Sequence, residues 1–369
     1  MANGGGVTFY DAFDSRRNGL STIRLVLAST VVLWHSFPLT GHDIEPEGLR
    51  EVVGSFRVDA FFAISGFLVL RAWNRNPDTR FFIRSRALRL LPAFWVNLTI
   101  TAFVIAPIAA HFAGIDVFDL FRGDHSAWRY VAQNASTWMF FYDIGGTPQN
   151  VPFPGAWNGS VWMLKWEVAA YAGLLAIGIA GAVRKRIFIL TLAILFWILV
   201  LVNSLTDIVA SNHFHEASRF GLMFSTGATL WAYADRVRVD WRLAVLACLG
   251  IVVGVWLPDY RLSAAPALSY VVFWLAVRMK KDIYIRKNDY SYGIFLYSFP
   301  IQQLVLSLGF PYLNPLAFFI FCLTLTVPLA AASWHFIEKP IRNKKRKLDE
   351  RDAAKRPLGV SARISYAAR

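Results

Sequence analysis

Between residues 24 and 35 the chain reads Arg-Leu-Val-Leu-Ala-Ser-Thr-Val-Val-Leu-Trp-His, so one permanent cation and one titratable imidazole stand in an otherwise apolar run. An imidazole takes up and returns a proton near neutrality, and a guanidinium holds anions, so the pair suits proton transfer beside a bound charge. At about 100° per residue in an α-helix, eleven steps bring His35 back to within roughly 20° of Arg24, about 16 Å further along the axis. The two share a face at different depths. Two more stretches carry chemistry: Glu167 at the end of Trp162-Met163-Leu164-Lys165-Trp166-Glu167, followed by Tyr171, and the basic run Arg84-Ser85-Arg86-Ala87-Leu88-Arg89. Clustered guanidiniums bind phosphates bidentately, which makes that run a candidate phosphate platform. Simpler readings exist for each: a snorkelling anchor for Arg24, a helix–helix hydrogen bond for His35, and a topology signal for the basic run.

The elements that must position these residues are membrane helices. Of 369 residues 56% are apolar and only 17% charged, with 30 Phe, 14 Trp and 13 Tyr, and the mean hydropathy is +0.42. Several segments reach the roughly 20 residues needed to cross a 30 Å hydrocarbon core. About ten spans are predicted, over 21–40, 56–72, 90–112, 159–182, 187–204, 217–235, 243–257, 263–279, 290–308 and 315–337. The expected fold is an all-α polytopic membrane protein. The net charge of +14 does not point to nucleic acid, because Lys and Arg fall between the apolar runs. Alternate connections are basic: Arg71, Arg75, Arg80, Arg84 and Arg86; Arg184, Lys185 and Arg186; Arg236, Arg238 and Arg242; then Arg278, Lys280, Lys281, Arg286 and Lys287. The intervening ones carry Asp116, Asp119, Asp124, Asp143, Asp207 and Asp259. With ten spans and both termini cytoplasmic, the positive-inside rule holds at every turn. Residues 1–19 form a cytoplasmic N-terminal segment unlike a cleavable signal peptide, residues 20–340 the transmembrane domain, and 341–369 a basic, disordered cytoplasmic tail attracted to anionic lipid.

This topology assigns depths. The first helix runs outward, which sets Arg24 about one turn from the cytoplasmic face and His35 near or beyond the midplane. The second returns inward through Phe61-Phe62-Ala63-Ile64-Ser65-Gly66-Phe67, whose Ser-Gly pair permits close helix approach. The basic run enters the third helix, with Pro92 tolerated near its start. Glu167 lies half-way down the fourth helix, where a carboxylate is costly unless paired; His35 is the first candidate partner, with Lys165 and Arg219 as the others. The long external connection 113–158 holds Trp128, Trp138 and Trp157 and packs over the mouth of the bundle or lies in the interface as an aromatic belt. Cys248 and Cys322 both sit in apolar runs and suggest packing, and no metal-ligand cluster stands out.

In this order the pieces resemble the membrane acyltransferase 3 family, which O-acylates cell-envelope glycans and some secondary metabolites. The resemblance rests on Arg24 and His35, on Phe61-Phe62-x-x-Ser65-Gly66-Phe67, on Arg86-x-x-Arg89-Leu90-x-Pro92 and on Gly159-Ser160-Val161-Trp162 with Glu167. It continues through Ser291-Tyr292-Gly293-Ile294-Phe295-Leu296-Tyr297 before Phe299-Pro300 and through Glu338-Lys339-Pro340, spanning roughly 20–340. Two positions depart from the family pattern, Ser85 where a second basic residue is common and Ser298 where a histidine often precedes Phe-Pro. The tail is too short for the SGNH esterase-like domain fused to some relatives.

The resemblance implies transfer of an acyl group, acetyl first, from cytoplasmic acyl-CoA to a hydroxyl of an extracytoplasmic glycan or related acceptor, in the plasma (bacterial inner) membrane. No permanently bound cofactor and no metal is expected; acyl-CoA is a co-substrate, and the other partners are the acceptor and the bilayer. Arg24, Arg84, Arg86 and Arg89 are the expected CoA-binding residues. His35 would act as general base or as acyl-carrying nucleophile, with Glu167 orienting the imidazole and Arg24 completing the catalytic group. Ser65, Tyr171 and Trp162 are the expected substrate contacts. The rival class is a transporter or flippase of a lipid-linked sugar, which would use the same intramembrane charges without a thioester.

Overall fold

Fourteen helices carry the residues described in the computed structural model, which are 6–14, 17–42, 44, 46–206, 211–279, 288–310 and 313–354. They are α1 Phe9–Ala12, α2 Leu20–Leu39, α3 Glu47–Arg75, α4 Thr79–Ile100, α5 Ala106–Phe112, α6 Ala127–Asn134, α7 Leu164–Ile179, α8 Arg186–Leu205, α9 Asn212–Ala232, α10 Trp241–Val253, α11 Arg261–Arg278, α12 Ser291–Ser307, α13 Pro315–Ser333 and α14 Lys339–Ala354. Among the described residues the only β pairings are two isolated bridges. Lys280, Lys281, Arg286, Lys287, Asp207 and residues 355–369 of the tail lie outside the described residues.

Each predicted span falls on a helix, and among the described residues six helical stretches are long and apolar enough to cross a membrane: Leu20–Leu39, Leu49–Arg75, Thr79–Phe112, Val161–Ile179, Arg186–Leu205 and Pro315–Arg351. The chain is a helical membrane protein. Its periphery is apolar, as a lipid-facing surface requires: Ile194, Leu195 and Val202 on α8 and Leu246, Leu249 and Val252 on α10 are all exposed.

Close approach and proline set the packing of the interior. Where α3 crosses α9, a methyl added at Gly66 would overlap the Phe224 carbonyl, and one at Gly227 would overlap that of Ala63, so only glycine fits at either position. Pro300 in α12 has no N–H for the Leu296 carbonyl four residues back, and the Asn97 amide of α4 donates to that carbonyl at 3.0 Å. Pro266 likewise frees the Leu262 carbonyl in α11, and Trp197 Nε1 of α8 supplies the bond at 2.8 Å. In both places a helix break becomes an interhelical tie.

Three local expectations change. Pro92 is deep inside α4 rather than near a start, because Asp78 caps the helix fourteen residues earlier by accepting from the Phe81 amide at 2.7 Å. The basic run is therefore itself helical. The tail is helical through Ala354, because a π-helical turn over Trp334–Glu338 joins α13 to α14, and the Arg84–Asp349 ion pair at 2.7 Å holds α14 against α4. The second span starts at Glu47, well before residue 56, and its first half carries two buried charged residues, Arg57 and Asp59. There Arg261 and Asp59 are fully buried, with Nε donating to Asp59 at 2.6 Å and an Nη to Asp259 and Glu51 at 3.0 and 3.1 Å.

Candidate active site

An interior cavity of about 740 Å³, measured to its open mouth, is lined by Arg24 of α2, Ser65 of α3, Arg86 and Arg89 of α4, and Glu167 and Tyr171 of α7, among apolar residues that include Leu68 and Phe295. Six residues singled out by type and spacing thus converge from four helices. Ser65 Oγ donates to Glu167 Oε1 at 3.1 Å, and the Tyr171 hydroxyl donates to the same oxygen. The Arg86 guanidinium lies over the Tyr171 ring at 5.6 Å, and its Nε donates to the Ser85 hydroxyl at 3.2 Å, so the residue at the departure from the family pattern steadies the arginine beside it. Arg24 pairs with Asp289 at 3.0 Å. Burial alone would raise the Asp289 carboxyl, but the guanidiniums of Arg24 and Arg89 more than offset it and hold the group below the usual carboxylate range.

His35 is elsewhere. It lines a second cavity of about 450 Å³ together with Trp34, Arg57, Ser160 and Trp162. Met163 and Phe295 line both cavities and form the wall between them. The His35 ring meets Phe299 edge-on at 5.1 Å, and its Nδ1 is buried without a hydrogen-bond partner. Phe299 is in turn packed by Phe153 of the long connection at 6.2 Å. Gln303 of α12 pins that connection by donating to the carbonyls of Phe153 and Ala156 at 2.6 and 2.8 Å. Trp157 is buried, while Trp128 and Trp138 stay exposed. The connection covers the His35 end of the bundle with part of its aromatic surface.

The pairing of Glu167 with His35 is absent; depth alone could not supply it, because α7 turns Glu167 toward α3, where Ser65 meets it beside Tyr171 of α7 itself. Neither of the alternative partners joins Glu167. Lys165 lies 3.5 Å from Glu216, and Arg219 reaches Ser55 at 3.1 Å and Asp59 at 3.8 Å. Arg84 does not line the cavity and is engaged by Asp349. Trp162 lines the His35 cavity. Ser298 is fully buried, its hydroxyl without a partner, and it lines neither cavity.

Sequence reasoning missed three features. Asp289 was hidden by being a lone acid before Ser291-Tyr292-Gly293, although its place at a helix start was a signal. Arg57 is 2% exposed and bonds only backbone carbonyls of its own helix, those of Val53 and Gly54, while its Nε is unpartnered. The Arg261–Asp59 network was foreshadowed by an aspartate inside an apolar run. Among the described residues no three His, Cys, Asp or Glu side chains gather as metal ligands.

The model of a family described as an acyltransferase domain matches residues 17–335. An O-acetyl transferase of Shigella phage Sf6 is 26% identical over 340 residues, covering 88% of this chain and 96% of its own. Nodulation protein 10 of Rhizobium leguminosarum bv. viciae is 24% identical over 357 residues, covering 88% of this chain and 93% of its own. No solved structure matches.

Proposed function

The chain belongs to the acyltransferase domain family, and from that premise we propose that it carries an acyl group, acetyl in the first instance, from acyl-CoA in the cytoplasm to a hydroxyl of an extracytoplasmic glycan or related acceptor. In this reading ten helices cross the plasma membrane, both termini are cytoplasmic, and the inner cavity admits the donor. Arg86 and Arg89 meet its phosphates, with Arg84 at the edge of the platform, and Arg24, fixed by Asp289, guides the pantetheine arm. His35 accepts the proton of the acceptor hydroxyl in the outer cavity. The freed oxygen bonds to the thioester carbonyl carbon, the carbon–sulfur bond breaks, and the leaving thiolate takes the proton back from the imidazolium. Glu167 holds the Ser65 and Tyr171 hydroxyls against the acyl group, and Trp162 offers the acceptor a ring face. The name of the phage relative supports acetyl as the group.

The observation that carries this reading is the pair of cavities sharing only the wall of Met163 and Phe295, one lined by arginines and the other by His35. In membranes supplied with acetyl-CoA and an envelope glycan acceptor, His35→Ala is expected to abolish product while the protein still accumulates. Normal turnover by that variant removes His35 from the mechanism. A lipid-linked sugar flippase would neither bind nor cleave the thioester, so release of free CoA separates the two classes.

A further inference from the structure

The helix that follows the last expected span has no part in the scheme above, yet it approaches the donor platform. The stretch Pro315–Arg351 is 37 residues of continuous helix, nearly twice the roughly 20 that a bilayer core requires, so α14 extends beyond it. Its sequence Lys-Pro-Ile-Arg-Asn-Lys-Lys-Arg-Lys-Leu-Asp-Glu brings Lys345 against α4. Lys345 is half-buried, stands over the Phe81 ring at 5.5 Å, and lies within electrostatic range of Arg84, Arg86 and Arg89, three cations against the single Asp349 carboxylate. Asp349 on the next turn pairs with Arg84 at 2.7 Å, which fixes the rotation of α14 against α4 and aims Lys345 at the arginines. Among the described residues no carboxylate comes within 4.0 Å of the cationic nitrogens of Lys345, Arg86 or Arg89.

Holding like charges together in a partly dehydrated site is unfavourable unless an anion fills the space between them. Two of the arginines, Arg86 and Arg89, line the cavity, so an anion held by them and by Lys345 would bridge the cavity and α14. Resting on the acyl-CoA reading, we infer that Lys345 of α14 binds the nucleotide phosphates of the donor, with α14 acting as the second jaw of the site opposite α4. The acyl-bearing pantetheine arm then enters past Arg86 and Arg89.

The test compares CoA with pantetheine, which has the same thiol arm but lacks the nucleotide, by titration calorimetry on the full-length protein in nanodiscs of neutral phosphatidylcholine. Lys345→Ala is expected to weaken CoA binding about tenfold, the effect of one charge-assisted hydrogen bond, and to leave pantetheine unchanged. Lys344→Ala, its exposed neighbour, is expected to leave both unchanged. The inference is overturned if Lys345→Ala binds CoA normally, as it would if α14 served anionic lipid headgroups. It is equally overturned if both ligands weaken together, which marks a structural role, or if Lys344→Ala weakens CoA as much, which marks diffuse charge. Absence of CoA binding by the unaltered protein instead overturns the acyl-CoA reading itself.

Discussion

At the scale of single residues, the geometry separates roles that the sequence merges. Glu167 accepts from Ser65 and Tyr171 and not from His35, so neutralising it removes a strong acceptor without touching the imidazole. Glu167→Gln keeps an amide oxygen for both hydroxyls and is expected to lower the acetyl-transfer rate about tenfold, whereas His35→Ala is expected to abolish it. Equal losses in initial-rate assays would put the carboxylate back beside the imidazole. Asp289 has a different task, since it neutralises Arg24 at 3.0 Å in a nearly dry site. Asp289→Ala leaves a buried cation unpaired, at a cost of about 3–5 kcal/mol. The thermal midpoint of the detergent-solubilised protein should fall accordingly, and the Arg24→Leu/Asp289→Leu double variant should recover most of the loss without recovering activity. A double variant as unstable as the single one would show that the pair matters to the fold beyond charge balance.

At the scale of elements, α12 is the strut on which both cavities depend. Tyr292 donates to the Leu90 carbonyl at 2.9 Å, Asn97 to the Leu296 carbonyl left open by Pro300, and Ser160 to the Phe295 carbonyl at 3.4 Å. These ties bring α12 against α4 and against the entry to α7, and Phe295 becomes a wall of each cavity. Asn97→Leu deprives a buried carbonyl of its donor and should destabilise the protein by about 1–3 kcal/mol. Pro300→Ala in the same background restores an N–H for that carbonyl and should reverse the loss, which thermal melts of the two variants would show. The α3–α9 crossing is stricter, because Gly66 and Gly227 each meet backbone, and even Gly66→Ala is expected to lower the yield of folded protein in fluorescence-detected gel filtration.

At the scale of the whole molecule, two cavities at different depths meet at Met163 and Phe295. If the thioester passes there, the size of that wall sets the rate of transfer and leaves donor affinity alone. Phe295→Trp should lower kcat severalfold with CoA affinity unchanged, and a matched loss of affinity would place the donor elsewhere. The long connection contributes at this scale too, since Gln303 and Phe299 fix its Phe153 over the His35 end of the bundle.

What the sequence determined by itself was a helical membrane protein, the approximate place of its longer helices, and six polar residues that converge on the cavity beside Arg24, because hydropathy and charge are written locally and the chemically costly side chains in apolar runs announce themselves. Helical spacing also put Arg24 and His35 on one face of α2. What only the tertiary structure decided was which costly groups neutralise one another. Depth along an axis is one coordinate, while pairing depends on the rotation and spacing of neighbouring helices, and these follow from contacts such as Gly66 on Phe224 and Asn97 on Leu296 that are far apart in the chain. So Arg24 found Asp289, Glu167 found Ser65 and Tyr171, Arg261 found Asp59, and His35 kept an unpartnered nitrogen in a chamber of its own.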